Sequence, residues 1–582
     1  MFLMNMTIPR PEYPRPDFMR LDWVNLNGVW RFAFDDYDLG LKEKWFKRGD
    51  FDEKIIVPFP FQSRLSGIHD ECFHDIVWYA RTFNIPEDFT GKTVFLKFGA
   101  VDYFCNVWLN GVEVGSHVGG YTPFEFNITN LVKEDNNLLV LRIEDRHGDQ
   151  PRGKQDARLY PRGCNYMRVT GIWQTVWLEF TERSWIRSAR FYPKVSGEVG
   201  VEVGFGGELR DLTLETTVFF TGYEVLKRVD KVSGKELKFK IEIEDPKLWT
   251  PETPDLYKVK LALRNGEKVE DEVYTYFGLR EVTVKNGRIL LNGKPYYLRF
   301  ALDQGYWLDG LYTAPSDEAL KRDVEYVKKL GLNGVRKHQK PEDPRYFYWC
   351  DKIGILVWEE MADWGMSLTS KNLETFWKQW KDVILRDFNH PSIIAWVPFN
   401  ERCPNEGNVE EHINFIVEVY KRTKRLDPTR LVVDNSGYCH TLTDIVDIHD
   451  YSGWRGGKYF KENWEKSLKK GLPYCPHRPV FLPGFKYEGQ PIVLSEWGGW
   501  GIKKYDPLVN RPKAYYGPEL EDEYEFLSKY RDLIKAIYSV HEIAGFCYTQ
   551  LYDIEGEVNG YLTYDRKWKV DPEKIREIHL MT

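Results

Sequence analysis

The chain has 582 residues, 42% hydrophobic and 29% charged, with a formal net charge of -7. That length exceeds what one core supports, so about two to four domains are expected. The mildly acidic balance removes the electrostatic case for nucleic acid or an anionic membrane as partner. The eight cysteines, at 72, 105, 164, 350, 403, 439, 475 and 547, form no CxxC pair. They predict neither a metal cluster nor a disulfide framework and fit a reducing, cytoplasmic setting. The N-terminal MFLMNMTIPRPEYPRPDF is broken by prolines and has no apolar core, so neither a signal peptide nor a membrane span is expected. The 15% aromatic content, with 21 Trp, is high. Flat apolar faces with a polar edge suit sugar rings as well as protein cores.

From residue 20 to 182, stretches such as LNGVWRFAF, VWYARTFNI and FCNVWLNGVEV alternate apolar and polar residues at period two. Turn signals such as Asn110-Gly111 separate them, and residues 1–182 read as one β-sandwich. Residues 183–275 continue in strands (EVGVEVGF, LTLETTVFF, LYKVKLALR), enough for an immunoglobulin-like sandwich. Beyond 276 the period changes. Ser316 is placed to cap a helix with Asp317 and Glu318 in its first turn. Leu320, Val324, Val327 and Leu330 recur at helical spacing, and Gly331 supplies the stop. Strands and helices then alternate through NGVRKH, ILVWEE, SIIAWVPFNE, RLVVDN, IVDIHDY, PIVLSEWGG and GFCYTQ. A long Gly/Pro/aromatic segment, 452–490, precedes PIVLSEWGG. Counting LLNGKPYYLRF as the first, about eight strands predict a (β/α)8 TIM barrel over 276–582.

In such a barrel the chemistry sits at the C-terminal strand ends. The fourth and seventh strands both run from apolar residues into a glutamate, Glu401 and Glu496. A buried carboxylate is costly unless paired or used. Two facing carboxylates whose charges push their pKa values apart are what glycoside hydrolysis requires: one stays protonated, the other ionised.

FGLREVTV, ILLNGKPYYLR, GVRKHQKPEDPRYFYWCDKIGILVWEE, RDFNHPSIIAWVPFNE and IVLSEWGG resemble glycoside hydrolase family 2, in the family's order across nearly the whole chain. The resemblance implies a jelly-roll sugar-binding domain, an immunoglobulin-like domain and a catalytic barrel. It implies a retaining exo-β-glycosidase acting on glycosides or oligosaccharides, without a cofactor, as a homo-oligomer. It makes Glu401 the general acid/base, Glu496 the nucleophile, Asn400 a ligand of the sugar 2-hydroxyl and Arg336 the residue that steadies the nucleophile. Glu360 coincides with a metal-contacting glutamate of some members, but no His/Asp cluster of ligand spacing accompanies it, and no metal is expected.

Which sugar is bound is a further question. The β-glucuronidases of the family hold the sugar carboxylate with an Asn-x-Lys, and the matching stretch here puts Glu557 and Asn559 at those positions. A buried carboxylate would repel a uronate, so poor activity on glucuronides is expected. The β-galactosidases carry a His after the second-strand Arg. Here Gln339 aligns with it and His338 stands beside it, while ALDQGYW places Asp303, Gln304 and Trp307 at the end of the first strand. The favoured reading is a β-galactosidase. The alternatives are a β-mannosidase, β-glucuronidase, pentosidase or furanosidase, or a carbohydrate-binding protein without catalysis.

Trp307, Trp358, Trp364, Trp497 and Tyr548 sit near predicted strand ends, as sugar platforms or as packed core aromatics. His449 and Asp450 end the sixth strand as a candidate hydroxyl-binding pair. Tyr451 is placed to hydrogen-bond the nucleophile, a role known in related barrels. His390, before the fourth strand, lies at the opposite face and reads as structural.

Overall fold

In the computed structural model, residues 8–405 and 407–581 are described. The N-terminal reading rests partly on residues 1–7, outside that range. Among the described residues, no helix is long and apolar enough to cross a membrane.

Period-two alternation gives each early strand one buried face, and two antiparallel sheets close over it. A six-stranded sheet runs in the order Glu53–Val57, Gly28–Phe34, Ile76–Phe83, Asn137–Glu144, Phe104–Leu109, Val112–Val118. It faces a four-stranded sheet of Trp23–Asn25, Val176–Thr181, Thr93–Phe98 and Phe124–Asn127. Trp30, Phe32, Val77 and Leu141 from the first interdigitate with Leu96, Phe98 and Leu178 from the second. A second sandwich pairs a three-stranded sheet beginning at Ser184–Pro193 with a four-stranded one ending at Lys268–Phe277, around Ile186, Val201, Leu214, Leu261 and Val273. Arg20 joins the two sandwiches, bonding Glu179 of the first at 2.7 Å and Asp271 of the second at 2.8 and 3.0 Å.

The remainder is the barrel. Its eight parallel strands are Leu298–Asp303, Gly334–Lys337, Leu356–Glu360, Ile393–Val397, Leu431–Val432, Val446–His449, Ile492–Gly498 and Ile543–Thr549. The ladder runs fifth to first, then eighth to sixth, so the sheet curls round with its one unladdered seam between the fifth and sixth strands. The hairpin Val282–Lys285 and Arg288–Leu291 packs Val282, Ile289 and Leu291 against Leu298, Phe300 and Trp358 of the barrel. Helix Asp317–Lys329 is capped as expected, with Ser316 Oγ accepting from Ala319 N at 3.1 Å, and Gly331 follows its end at φ +72°. Its apolar stripe, Leu320, Val324 and Val327, is buried.

Two helices lie outside the elements marked in the sequence reading. Gly457–Leu468 lies inside the Gly/Pro/aromatic segment that reads as irregular, and Pro572–His579 follows the last strand. The first buries only Gly457, Phe460 and Trp464; so thin a stripe behind two glycines is a weak signal.

Candidate active site

Arg336, on the second strand, is fully buried at the barrel mouth and organises the groups around it. Its Nη1 donates to Glu496 Oε1 at 2.9 Å and Ser495 O at 3.2 Å, its Nη2 to Asn400 Oδ1 at 2.6 Å, and its Nε to Glu360. Tyr451 Oη donates to Glu496 Oε2 at 2.5 Å, so both oxygens of Glu496 are held. Burial pushes the Glu496 carboxyl up, but the charges of His449 and Arg336 outweigh it and hold the group below its ordinary range. Glu496 is an oriented, ionised carboxylate.

Glu401 stands across from it, just past the fourth strand. Its backbone is left-handed (φ +55°) and its N–H donates to Ser436 O at 2.9 Å. Its side chain is 27% exposed against 8% for Glu496, so it faces the entrance. His449 lies between them, Nδ1 at 2.7 Å from Glu401 Oε1 and Nε2 at 3.4 Å from Glu496 Oε1. One carboxylate oxygen from each glutamate and a His449 nitrogen all lie within 4.8 Å of one another. Burial alone would lower the His449 pKa. Glu496 and the bond to Glu401 outweigh burial and raise it. Burial likewise pushes Glu401 up, and the His449 contact brings it below its ordinary value. These directions leave the proton on His449, hydrogen-bonded to Glu401. Both glutamates sit below their ordinary range, so the divergence of their two pKa values expected from the sequence is not seen in this site.

Asn400 accepts from Arg336 while its Nδ2 is buried without a partner among the described residues, a donor free for a ligand hydroxyl. His338 Nδ1 lies 2.8 Å from Glu360 Oε2, and burial holds the ring neutral, its pKa well below the ordinary value. Trp364, half-buried, donates Nε1 to Asn400 O at 2.9 Å. Glu360 is taken up by Arg336, His338 and the Gln339 N–H.

Five of the expected substrate ligands lie elsewhere. Asp303 is fully buried and consumed by Lys337 Nζ at 2.9 Å, Tyr346 Oη at 2.6 Å and Tyr552 Oη. Burial opposes its ionisation, yet Lys337 and the two tyrosines pull its pKa to about 2. Asp450 caps Ser452 N and accepts from Trp464 Nε1, both at 2.9 Å, anchoring the segment after the sixth strand. Trp307 packs under the Arg566 guanidinium, 4.3 Å from its ring. Trp497 follows the inward-facing Glu496 and so points outward, among Tyr530, Phe546 and Tyr548. Tyr548 is packed on Tyr561, its hydroxyl on Asn559 O. Trp358 is buried in the barrel interior. His390 sits at the opposite face, 2.6 Å from Asp351 and 3.2 Å from Tyr276. The cysteine spacing also misled: Cys403 and Cys439, beyond the ends of the fourth and fifth strands, form a disulfide.

Lys154 of the first sandwich is a site residue that the sequence does not announce. It bonds Glu557, and its field reaches Glu401 and Glu496. Nothing in PRGKQ signals a barrel residue. Tyr516, which stacks on Tyr451 at 4.3 Å, is equally silent in the sequence.

A barrel with paired carboxylates at its mouth, behind two β-sandwiches, is the architecture of a glycoside hydrolase. Residues 23–180 match the profile "Glycosyl hydrolases family 2, sugar binding domain", 186–280 "Glycosyl hydrolases family 2", and 282–576 "Glycosyl hydrolases family 2, TIM barrel domain". The chain belongs to glycosyl hydrolase family 2. It is 30% identical to a β-galactosidase of Thermoanaerobacter pseudethanolicus over 467 residues, 76% of this chain and 60% of that protein. It spans 37% and 50% of two Formosa agariphila relatives, each 28% identical. The Homo sapiens β-glucuronidase is 26% identical over 81% of this chain and 80% of that one. The structure of Bifidobacterium dentium β-glucuronidase complexed with coumarin-3-O-glucuronide shares the fold, with a TM-score of 0.80 at 20% identity over 97% of this chain and 98% of that one.

Proposed function

We propose that the protein is a retaining exo-β-glycosidase with Glu496 as nucleophile and Glu401 as general acid/base. The observation that carries the reading is the approach of one oxygen of each glutamate to within 4.8 Å, with His449 Nδ1 2.7 Å from Glu401 Oε1. Retaining enzymes hold their carboxyl groups about 5–5.5 Å apart, whereas inverting ones leave roughly 6.5–9.5 Å for a water. Glu496 attacks the anomeric carbon as the bond to the aglycone oxygen breaks, and Glu401 gives that oxygen its proton. Water then attacks the glycosyl-enzyme, Glu401 takes its proton, and Glu496 leaves. Arg336 and Tyr451 aim Glu496, and Asn400 Nδ2 offers a donor to a sugar hydroxyl.

A β-galactoside is the favoured substrate. The buried Glu557 disfavours a second carboxylate, and the relative at 30% identity is a β-galactosidase. A β-glucuronide is the second reading, favoured by the Lys154 ammonium, whose charge acts on both glutamates, and by relatives named β-glucuronidase. Nitrophenyl β-glycosides assayed side by side decide between them. In the Glu496→Ala variant, turnover falls by roughly 10⁴-fold or more, and azide restores part of it as the glycosyl azide of opposite anomeric configuration. Activity within tenfold of the parent, with no azide product, would remove Glu496 from its role.

A further inference from the structure

Glu401 sits on a segment that is stitched, link by link, to residues 435–439 just past the fifth strand. Ser436 N donates to Phe399 O at 2.8 Å, and Glu401 N to Ser436 O at 2.9 Å. Arg402 N donates to Asn435 Oδ1 at 2.8 Å, and Asn435 Nδ2 donates back to Arg402 O at 2.9 Å. The Cys403–Cys439 disulfide is the next link. Beyond it the chain passes the exposed Asn405 and Gly407 before helix Val409–Leu426 begins. The left-handed backbone of Glu401 needs such fastening, because a residue other than glycine keeps that conformation only where its surroundings impose it.

The two ends of the disulfide are unequally anchored. Cys439 is 1% exposed and its N–H donates to Pro479 O at 2.9 Å, while the next residue, His440, donates its N–H to Val480 O at 2.8 Å. Gly437 O accepts from His449 N at 3.2 Å, and a Cβ on Gly437 would stand 2.6 Å from the His449 ring. Tyr438 packs edge-on against the same ring, with centroids 6.0 Å apart. Cys403, by contrast, is half-buried. The bond therefore ties the segment that carries Glu401 to the wall that carries His449.

We propose that the Cys403–Cys439 disulfide is a positioning element for the general acid/base, fastening Glu401 against His449 without placing Glu496. The proposal rests on the reading of Glu401 as acid/base above. Glu496 takes its bonds from Arg336 on the second strand and from Tyr451 after the sixth. Cutting the disulfide leaves that aim intact and lets Glu401 drift from the departing oxygen, so proton delivery suffers while nucleophilic attack does not.

The test uses leaving groups that differ in their need for a proton. Dinitrophenolate departs without one, whereas an unsubstituted phenol departs readily only when protonated. Values of kcat/KM, which report the first displacement, are compared for dinitrophenyl and phenyl β-galactosides in the parent, Cys403→Ser, Cys439→Ser and the double variant, well below the Tm of each. The β-glucuronides take their place should the parent prefer them. In each single variant the phenyl glycoside loses about tenfold or more while the dinitrophenyl glycoside stays within about threefold of the parent. The double variant matches the singles, because all three lose the same bond. A merely structural link lowers both substrates alike, so a dinitrophenyl-to-phenyl ratio within about twofold of the parent's overturns the proposal. Eight free thiols in the denatured, unreduced parent, where the bond leaves six, overturn it as well. Should the serine variants not fold, the folded parent is reduced with dithiothreitol, and the same ratio is read. The two thiols of the reagent close to a cyclic disulfide as Cys403 and Cys439 each take up a hydrogen atom. A parent that hydrolyses neither glycoside overturns the glycosidase reading and the role of Glu401 with it, whereas an active parent with an unmoved ratio in the variants overturns the role of the disulfide alone.

Discussion

Glu401 and Glu496 are chemically identical side chains with different roles because His449 and Arg336 treat them differently. Arg336 and Tyr451 spend their donors on Glu496, whereas Glu401 has His449 and the entrance. Because the raised His449 pKa keeps a proton next to Glu401, activity that needs this proton is lost only as pH climbs through a value above the ordinary histidine range. In His449→Gln the proton has no such holder. The alkaline limb of kcat/KM moves to lower pH and kcat at neutral pH falls by roughly 10²–10⁴-fold. An alkaline limb that stays in place would show that His449 does not hold the catalytic proton. At this scale the sequence was readable where a polar group ends an apolar strand, as at Asn400-Glu401, Glu496, His449 and Tyr451. The same signal was ambiguous at Asp303 and Asp450, because only tertiary structure tells whether a buried carboxylate is already spent. Lys337 and two tyrosines consume one, Ser452 and Trp464 the other. Strand alternation was the clue against Trp497: next to an inward glutamate, it must face out.

The fifth barrel strand is the weakest element. It ladders over Leu431–Val432 alone, no helix separates it from the sixth strand, and no ladder joins the two. Side chains stitch the seam instead. His440 Nδ1 bonds Asp434 at 2.7 Å and its Nε2 bonds Asp447 O at 2.8 Å, while Thr441 and Ser436 bond the same two aspartates. The Cys403–Cys439 disulfide spans the neighbouring strand ends. Burial alone would lower the His440 pKa, but Asp434 and Asp447 outweigh it and raise it to about 9. A group raised from about 6.5 in the unfolded chain stabilises fully below that value, and its contribution is lost as pH climbs through about 9. His440→Asn leaves Asp434 buried beside a neutral partner and costs about 3–5 kcal/mol at pH 7. The gap in Tm between parent and variant narrows between pH 7 and 10. Melting curves whose gap stays constant across that window would refute a charged His440. Capped amphipathic helices were plain in the sequence here. The seam was not, because a two-residue strand has no periodicity to read.

The order of two sandwiches and a barrel was legible along the chain, since each change of hydrophobic period marks a change of architecture. The way the first sandwich reaches the barrel mouth was not, because Lys154 and Glu557 meet only after both domains have folded. That dependence turns on Gly153. It sits at φ +60°, and a Cβ there would stand 2.3 Å from Gln339 O, a backbone atom at the end of the second strand. Gly163, in the same segment, has φ +63° with nothing within 4 Å of its would-be Cβ. Alanine at either position carries the left-handed strain of roughly 1–2 kcal/mol, but only Gly153→Ala must push the segment off the barrel and draw Lys154 out of the mouth. Gly153→Ala therefore lowers kcat/KM by about tenfold or more, whereas Gly163→Ala keeps activity near the parent's at a similar loss of Tm. Equal activities in the two variants would mean that the first sandwich shelters the barrel without shaping its pocket.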